Sequence, residues 1–200
     1  MTPDESDVDV LADKVRKALS GGARLVQYRN KSASAALRVK QGVALLALCR
    51  AARVPLIVND DLDLATEIGA DGVHLGRGDI PVAAARDRLG KSRLLGASCY
   101  QSLELALAAR EAGADYIAFG SAFPSATKPV AARAPLSLYR ETKSRLGSPV
   151  VAIGGITVEN APAVIDAGAD AVAVISALFD SPDIEAAARS FRRLFEKSNP

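Results

Sequence analysis

The tripeptide Gly-Ala-Asp occurs three times in this chain of 200 residues, at positions 69–71, 113–115 and 168–170. Each copy lies between the end of a predicted helix and the start of a predicted strand, where glycine permits the left-handed turn that ends many helices. A helix–turn–strand unit that repeats in this way is typical of parallel strands joined by right-handed helical crossovers. The repeats therefore predict one repetitive α/β fold rather than two unrelated domains.

Short apolar runs alternate with longer segments of helical periodicity along the chain. The apolar runs lack strict alternation of apolar and polar residues, which is typical of strands buried on both faces. The predicted strands are residues 25–28, 56–58, 72–75, 94–97, 116–119, 150–153 and 171–175, and the predicted helices are 7–19, 35–52, 62–68, 81–89, 103–112, 136–146, 160–167 and 184–196. This pattern fits a small α/β TIM (β/α)8 barrel that forms a single domain over residues 1–200.

The first strand of such a barrel is missing from the pattern, because the chain opens with a predicted helix. That strand would lie before Asp4, where only Met1, Thr2 and Pro3 are available. We therefore expect an N-terminal truncation or a misplaced start, and the alternative is a barrel completed in an unusual way.

The charge and the hydrophobicity of the chain exclude several classes of protein. Its 25 Lys and Arg residues nearly balance 23 Asp and Glu residues, so the basic stripe of a nucleic-acid-binding protein is not expected. No apolar run approaches the roughly 18 residues of a membrane span, and the acidic N-terminus does not resemble a signal peptide. Two cysteines make no disulfide framework, so a reducing cytoplasmic location is expected.

Basic residues follow the predicted strands at the end of the barrel where active sites lie. Arg29 and Lys31 follow the first predicted strand, and Lys128 follows the fifth. Three cations that converge on one rim predict an anionic substrate, most simply a phosphate or a diphosphate.

Carboxylates also follow two neighbouring strands. Asp60 and Asp79 provide the oxygen ligands that Mg²⁺ prefers, in company with waters and substrate oxygens. Alternatively, a carboxylate at this point caps the short helix that follows, a role that we assign more readily to Asp61 or Asp63.

Other reactive residues give weaker indications. Gly154 and Gly155 offer bare backbone N–H groups to a phosphate, or form a tight turn that needs positive φ, or both. His74, the single histidine, lies in an apolar strand and is expected to be structural. We expect Cys49 to pack in the core, and no environment that lowers the pKa of Cys99 is visible in the sequence.

Six segments together resemble the thiamine phosphate synthase family, in its order and spacing. They begin at Gln27 (QYRNK), Ile57 (IVNDD), Gly72 (GVHLGRGD), Ala114 (ADYIAFGSAFPSATK), Val150 (VVAIGGI) and Ala171 (AVAVISALF). The resemblance extends over most of the chain. The segment TPDES at Thr2 is also similar to the end of the family's first strand.

The resemblance implies a transferase that joins a hydroxymethylpyrimidine diphosphate to a thiazole phosphate, or to its carboxylated form, and releases diphosphate. By motif, it assigns the diphosphate to Arg29, Lys31, Asn59 and Lys128, Mg²⁺ to Asp60 and Asp79, the pyrimidine to Gln27 and Ser98, and the thiazole phosphate to Thr127, Gly155, Ile175 and Ser176, with Ser125 where the family often has Thr. Arg29, Lys31, Lys128 and Ser98 are the expected catalytic residues. Only small-molecule substrates are expected as partners, with a homodimer as the expected assembly.

Two alternatives remain open at this stage. A related thiazole tautomerase shares the barrel and the thiazole-phosphate end, and a catalytically inactive barrel could bind a phosphorylated ligand. Tyr100 stands where both the synthase and the tautomerase commonly have His, and a tyrosine cannot act as the same acid or base near neutral pH. Retention of the cations and the two carboxylates favours the synthase.

Overall fold

The computed structural model describes residues 1–124 and 133–197, and within these ranges it contains seven strands and nine helices. The strands are β1 (Val26–Tyr28), β2 (Leu56–Asn59), β3 (Gly72–Leu75), β4 (Leu94–Tyr100), β5 (Tyr116–Phe119), β6 (Val150–Ile153) and β7 (Ala171–Ala173). The helices are α1 (Val8–Ser20), α2 (Ala35–Ala52), α3 (Leu62–Ile68), α4 (Val82–Leu89), α5 (Leu103–Glu111), α6 (Leu136–Leu146), α7 (Ala161–Asp166), α8 (Ser176–Phe179) and α9 (Ile184–Lys197). Strands and helices alternate as the sequence predicts.

The chain divides into two compact units. The first contains residues 1–74 and 175–193, and its strands pair in parallel, β1 with β2 and β2 with β3. The second contains residues 75–174 and the chain from Leu194, and its strands β4, β5, β6 and β7 pair in parallel in chain order. No helix in the described part of the chain is long and apolar enough to span a membrane.

The strand interiors explain why the apolar runs of the sequence lack alternation. Leu56, Ile57 and Val58 of β2 are all buried, so both faces of the strand are covered. In the second unit the ring of Phe119 on β5 meets Tyr139 of α6 edge-on, with ring centroids 5.9 Å apart. Parallel strands require this covering on both faces, which Ala-rich helices provide at close range.

Each Gly-Ala-Asp copy forms the same clamp between two neighbouring strands. The three glycines have φ of 70°, 99° and 107°, which confirms the predicted left-handed turns. The carboxylates of Asp71, Asp115 and Asp170 accept the backbone N–H of Leu56, Leu95 and Val150 at 2.8, 2.8 and 2.9 Å. The backbone N–H of each aspartate donates in return to the carbonyl of the same partner, at 2.9, 2.7 and 2.8 Å. The clamp therefore sets the register where each strand pair begins.

Two elements differ from the prediction. Strand β4 continues to Tyr100, three residues beyond its predicted end, so Ser98 and Cys99 lie within the strand and not after it. Its register with β5 shifts between Ser98 and Tyr100. After this irregularity Tyr100 still pairs with Phe119, so β4 is longer than predicted. Strand β7 ends early, at Ala173, and helix α8, with four residues, is too short to produce a readable period.

We expect loss of one clamp to destabilise the fold measurably. Asp115→Ala removes the acceptor of the buried Leu95 N–H and the partner of the Arg86 guanidinium, which lies 2.6 Å away. The free energy of unfolding should fall by about 2 kcal/mol, measured by urea denaturation. Glu111→Ala, which removes an exposed acid at the end of α5, should change it by less than about 0.5 kcal/mol. Equal stability of the Asp115→Ala protein and the parent would contradict the clamp.

Both thiols should be inert in the folded protein. Cys49 and Cys99 are buried, and burial raises the pKa of each to about 12. With Ellman's reagent at pH 8 we expect no reaction of the native protein and reaction of both thiols in guanidinium chloride. Because the unfolded thiols ionise near pH 9 and the folded ones keep their protons to about pH 12, these groups make stability fall as pH rises across that interval. Rapid labelling of one thiol in the native protein would refute this assignment.

Candidate functional site

The loop after β1 begins in a fixed position because Thr2 binds its backbone. The Thr2 N–H donates to the Gln27 carbonyl at 2.9 Å. The Thr2 hydroxyl accepts the Arg29 N–H at 2.9 Å and donates to the Arg29 carbonyl at 2.8 Å. Since Thr2 is fully buried, these bonds are shielded from water. Both backbone groups of Arg29 are therefore held.

Asp4 orients the two cations of this loop. Its Oδ1 atom lies 3.0 Å from Nη1 of Arg29 and accepts the backbone N–H of Lys31 at 3.1 Å. The Arg29 side chain is one-quarter exposed, so its guanidinium keeps access to a ligand while one side is held by the carboxylate. The Lys31 ammonium, which is more exposed, lies 3.5 Å from Oδ2 of Asp60.

A buried network of hydrogen bonds centred on Gln41 also holds this loop. Gln41 of α2 has no exposed surface, and its Oε1 accepts the Tyr28 hydroxyl at 2.8 Å and Nδ2 of Asn30 at 3.0 Å. Its Nε2 donates to the Glu5 carbonyl at 2.8 Å, and Asn30 donates to the same carbonyl at 2.6 Å. Burial raises the pKa of Tyr28 to about 12, which keeps the phenol in its donating form.

The sequence reasoning missed Gln41, although a signal was present. Gln41 precedes Leu45 and Cys49 by four and eight residues, so it lies on the apolar stripe of α2. A polar residue on such a stripe needs hydrogen-bond partners in the core.

The two aspartates after β2, Asp60 and Asp61, have different contacts. Asp61 caps α3, because its Oδ1 accepts the Leu64 N–H at 2.9 Å, and its Oδ2 lies 3.0 Å from Nη1 of Arg38. This confirms the capping role predicted for Asp61. Asp60 has a left-handed backbone (φ 64°), donates its N–H to the His74 carbonyl at 2.8 Å, and directs its carboxylate to Lys31. The first unit therefore places Lys31 against Asp60, while the Arg29 guanidinium lies against Asp4.

The second unit holds Asp79 in a closed turn after β3. Its Oδ2 accepts the Gly76 N–H at 2.6 Å, and its own N–H donates to the Gly76 carbonyl at 3.4 Å. The ring of Tyr100 lies under the Arg77 guanidinium, whose central carbon is 4.8 Å from the ring centroid. The Tyr100 hydroxyl accepts the Arg77 N–H at 3.1 Å.

The donor chemistry of Asp60 and Asp79 fits Mg²⁺. This ion is commonly held by one or two carboxylates, with waters and substrate phosphates completing its octahedron. Among the described residues no group of three or more His, Cys, Asp or Glu could hold a metal ion. Asp60 lies in the first unit and Asp79 in the second, and each offers carboxylate oxygens of the kind that Mg²⁺ binds.

The Gly154-Gly155 turn is required by packing. The two residues have φ of 97° and 64°, and a Cβ on Gly155 would collide with the carbonyl oxygens of Phe123 and Pro124. Phe123 donates its N–H to the Gly154 carbonyl at 3.0 Å, and Asn160 donates to the Gly155 carbonyl at 2.9 Å. The tight-turn interpretation is confirmed, and phosphate binding at Gly155 stays a prediction.

The remaining predicted residues have the following places. Gln27 is buried within β1, Asn59 ends β2, and His74 is buried in β3. Ser98 lies inside β4 opposite Ala118, which corrects its predicted place after the strand. Ile175 and Ser176 form the start of α8 and not the end of a strand. Ser125, Thr127 and Lys128 lie outside the described residues.

Comparisons with known proteins agree with one another. A family model described as thiamine monophosphate synthase matches residues 1–178. The chain is 56% identical to the thiamine-phosphate synthase of Thiobacillus denitrificans (strain ATCC 25259 / T1) over 98% of this chain and 92% of that protein. It is 53% identical to that of Methylobacillus flagellatus (strain ATCC 51484 / DSM 6875 / VKM B-1610 / KT), over 98% and 93% of the two chains.

A solved structure confirms the predicted fold class, an α/β barrel of the TIM type. The thiamine phosphate pyrophosphorylase from Pyrococcus furiosus superposes with a TM-score of 0.87 and 38% sequence identity, over 94% of this chain and 91% of that one. Sequence, fold and structural similarity thus agree over nearly the whole chain, and the chain belongs to the thiamine monophosphate synthase family.

Proposed function

We propose that this protein is a thiamine-phosphate synthase. It transfers the pyrimidinylmethyl group of a hydroxymethylpyrimidine diphosphate to the ring nitrogen of a thiazole phosphate, plain or carboxylated, and releases diphosphate, together with CO2 when the thiazole is carboxylated. Family membership supports the reaction class. The observation that carries the assignment is the contact of Lys31 with Asp60 at the ends of two neighbouring strands, with Arg29 held by Asp4 in the same loop as Lys31.

Lys31 and Arg29 suit a diphosphate in different ways, because one can move to it and the other is held in place. The Lys31–Asp60 pair is largely exposed, with 61% and 36% of the two side chains accessible, and a pair of this kind contributes little stability. Lys31 can therefore leave Asp60 and bind an incoming phosphate with little loss of free energy. Arg29 differs because Asp4 and Thr2 hold both its side chain and its backbone, so its donors remain oriented with or without a ligand. Asn59, at the end of β2, would add an amide donor.

Mg²⁺ held by Asp60 and Asp79 would neutralise charge on the diphosphate. The carboxylate of Asp60 already has its orientation from the left-handed backbone, and that of Asp79 from the Gly76 N–H. Lys31, which lies 3.5 Å from the Asp60 carboxylate, would exchange this contact for a phosphate oxygen.

The reaction follows from charge and positioning. The bond between the methylene carbon and the diphosphate oxygen breaks with both electrons going to oxygen, and the electron-rich aminopyrimidine stabilises the resulting cation. The lone pair of the thiazole nitrogen then forms the new carbon–nitrogen bond, so no general base is needed. Arg29, Lys31 and Lys128 stabilise the charge that grows on the leaving oxygen, which is where a catalytic interaction must strengthen.

The other predicted residues would align the two rings. Gln27 and Ser98 would bind the pyrimidine, and Ser125, Thr127, Gly155, Ile175 and Ser176 would bind the thiazole phosphate. Holding both rings within reach converts the second step into an intramolecular attack.

Incubation of the protein with both substrates and Mg²⁺ tests the proposal directly. Equal amounts of diphosphate and thiamine phosphate are the expected products, measured by phosphate detection after pyrophosphatase treatment and by chromatography. Isomerised thiazole without diphosphate would indicate a tautomerase, and binding without either product would indicate an inactive barrel. Both outcomes would reject the synthase.

Lys128→Ala should reduce kcat/KM for the pyrimidine diphosphate about 100-fold, which corresponds to about 2.7 kcal/mol of transition-state stabilisation. The reason is the loss of one cation from the leaving group. Lys91→Ala, in the exposed turn after α4, serves as the matched control and should behave as the parent protein. Turnover of the Lys128→Ala protein at the parent rate would exclude this lysine from the reaction.

A further inference from the structure

Tyr100 has an unusual backbone for a large side chain. It ends β4 with φ of 55°, in the left-handed region that such residues rarely occupy. Hydrogen bonds on both sides hold it there, because its carbonyl accepts the Gly120 N–H at 3.0 Å and the preceding Cys99 carbonyl accepts the Ser102 N–H at 2.9 Å. Since 36% of the residue is exposed, core packing alone does not explain its position.

The Tyr100 side chain contacts the Gly76–Asp79 turn with both its ring and its hydroxyl. The ring supports the Arg77 guanidinium at 4.8 Å, and the hydroxyl accepts the Arg77 backbone N–H at 3.1 Å. The same hydroxyl oxygen lies 3.5 Å from the point where a Cβ on Gly76 would stand. The tyrosine therefore packs against the peptide that joins Gly76 to Arg77.

That part of the backbone also orients Asp79. Its Oδ2 accepts the Gly76 N–H at 2.6 Å and lies 3.4 Å from the same hypothetical Cβ position on Gly76. A rotation of the peptide between Gly76 and Arg77 would accordingly alter the turn that holds the carboxylate. Tyr100 restricts that rotation through the Arg77 N–H on one side and the guanidinium on the other.

We propose that Tyr100 is a positioning residue for the divalent cation, acting through the Gly76–Asp79 turn on the carboxylate of Asp79. The inference rests on the proposed function, which assigns Asp79 to the metal. Tyr100 contacts the residues that orient a metal ligand, and loss of such outer partners commonly weakens metal binding by about 10- to 100-fold. The hydroxyl and the ring act on different atoms of Arg77, so their contributions can be separated by substitution.

Mn²⁺ binding in the presence of inorganic diphosphate measures this role without turnover. Loss of the electron paramagnetic resonance signal of free Mn²⁺ gives the Kd. Tyr100→Phe keeps the ring and loses the acceptor, and should raise the Kd about threefold. Tyr100→Ala loses both and should raise it about tenfold. Leu105→Ala, on α5 and exposed to a similar extent, is the matched control and should bind as the parent protein.

The double variant Tyr100→Ala, Asp79→Asn tests whether Tyr100 acts through the Asp79 carboxylate. In an Asp79→Asn background, Tyr100→Ala should produce no further loss of affinity, because the ligand that Tyr100 positions is already disabled. An equal tenfold loss in that background would overturn the proposal, as would parent-like Mn²⁺ binding by both Tyr100 variants or no Mn²⁺ binding by the parent protein. If Tyr100→Ala fails to fold, Tyr100→Phe carries the test.

The two proposals fail in different ways. Absence of diphosphate release from the two organic substrates would reject the synthase. The Mn²⁺ titrations are independent of that assay, so they decide the role of Tyr100 whatever its result.

Discussion

The register of three of the parallel strand pairs depends on a carboxylate at the point where the pair begins. Parallel strands leave their first amides without partners, and in this chain the aspartates of the three Gly-Ala-Asp copies accept them at 2.8–2.9 Å. Because residues along a strand are spaced regularly, fixing the start of a pair also fixes which residues emerge at its other end. Asp60 follows β2, a strand that Asp71 clamps, so its placement is a consequence of register.

Much of this arrangement was readable in the sequence, and the reason is local. Helices such as α2 and α3 have helical periodicity, strands such as β3 and β5 are short apolar runs, and all four are followed by Gly or Pro signals, so their predicted bounds match the structure. The extension of β4 was not predictable in this way, because a register shift against β5 creates it. Non-local pairing decides such a feature, whereas the sequence displays only neighbours along the chain.

The site shows the same division. The neighbouring placement of Lys31 and Asp60 follows from the way strand ends bring adjacent loops together in this fold class. Asp4, Thr2 and the Gln41 network were missed, since their partners lie between 11 and 36 residues away along the chain. Gln41 left a signal, its place on the apolar stripe of α2, but the sequence does not show which residues it contacts. The exposed ion pairs contribute little to the stability of the fold, and because they are weak, a bound ligand can replace them.

The hold of Thr2 on Arg29 joins two distant parts of the chain. The buried hydroxyl binds both backbone groups of the arginine, so the position of the loop after β1 depends on a residue that lies 27 positions earlier in the chain. Displacement of this one hydroxyl would release both backbone groups of Arg29 at once, although Thr2 lies outside the loop that carries the arginine.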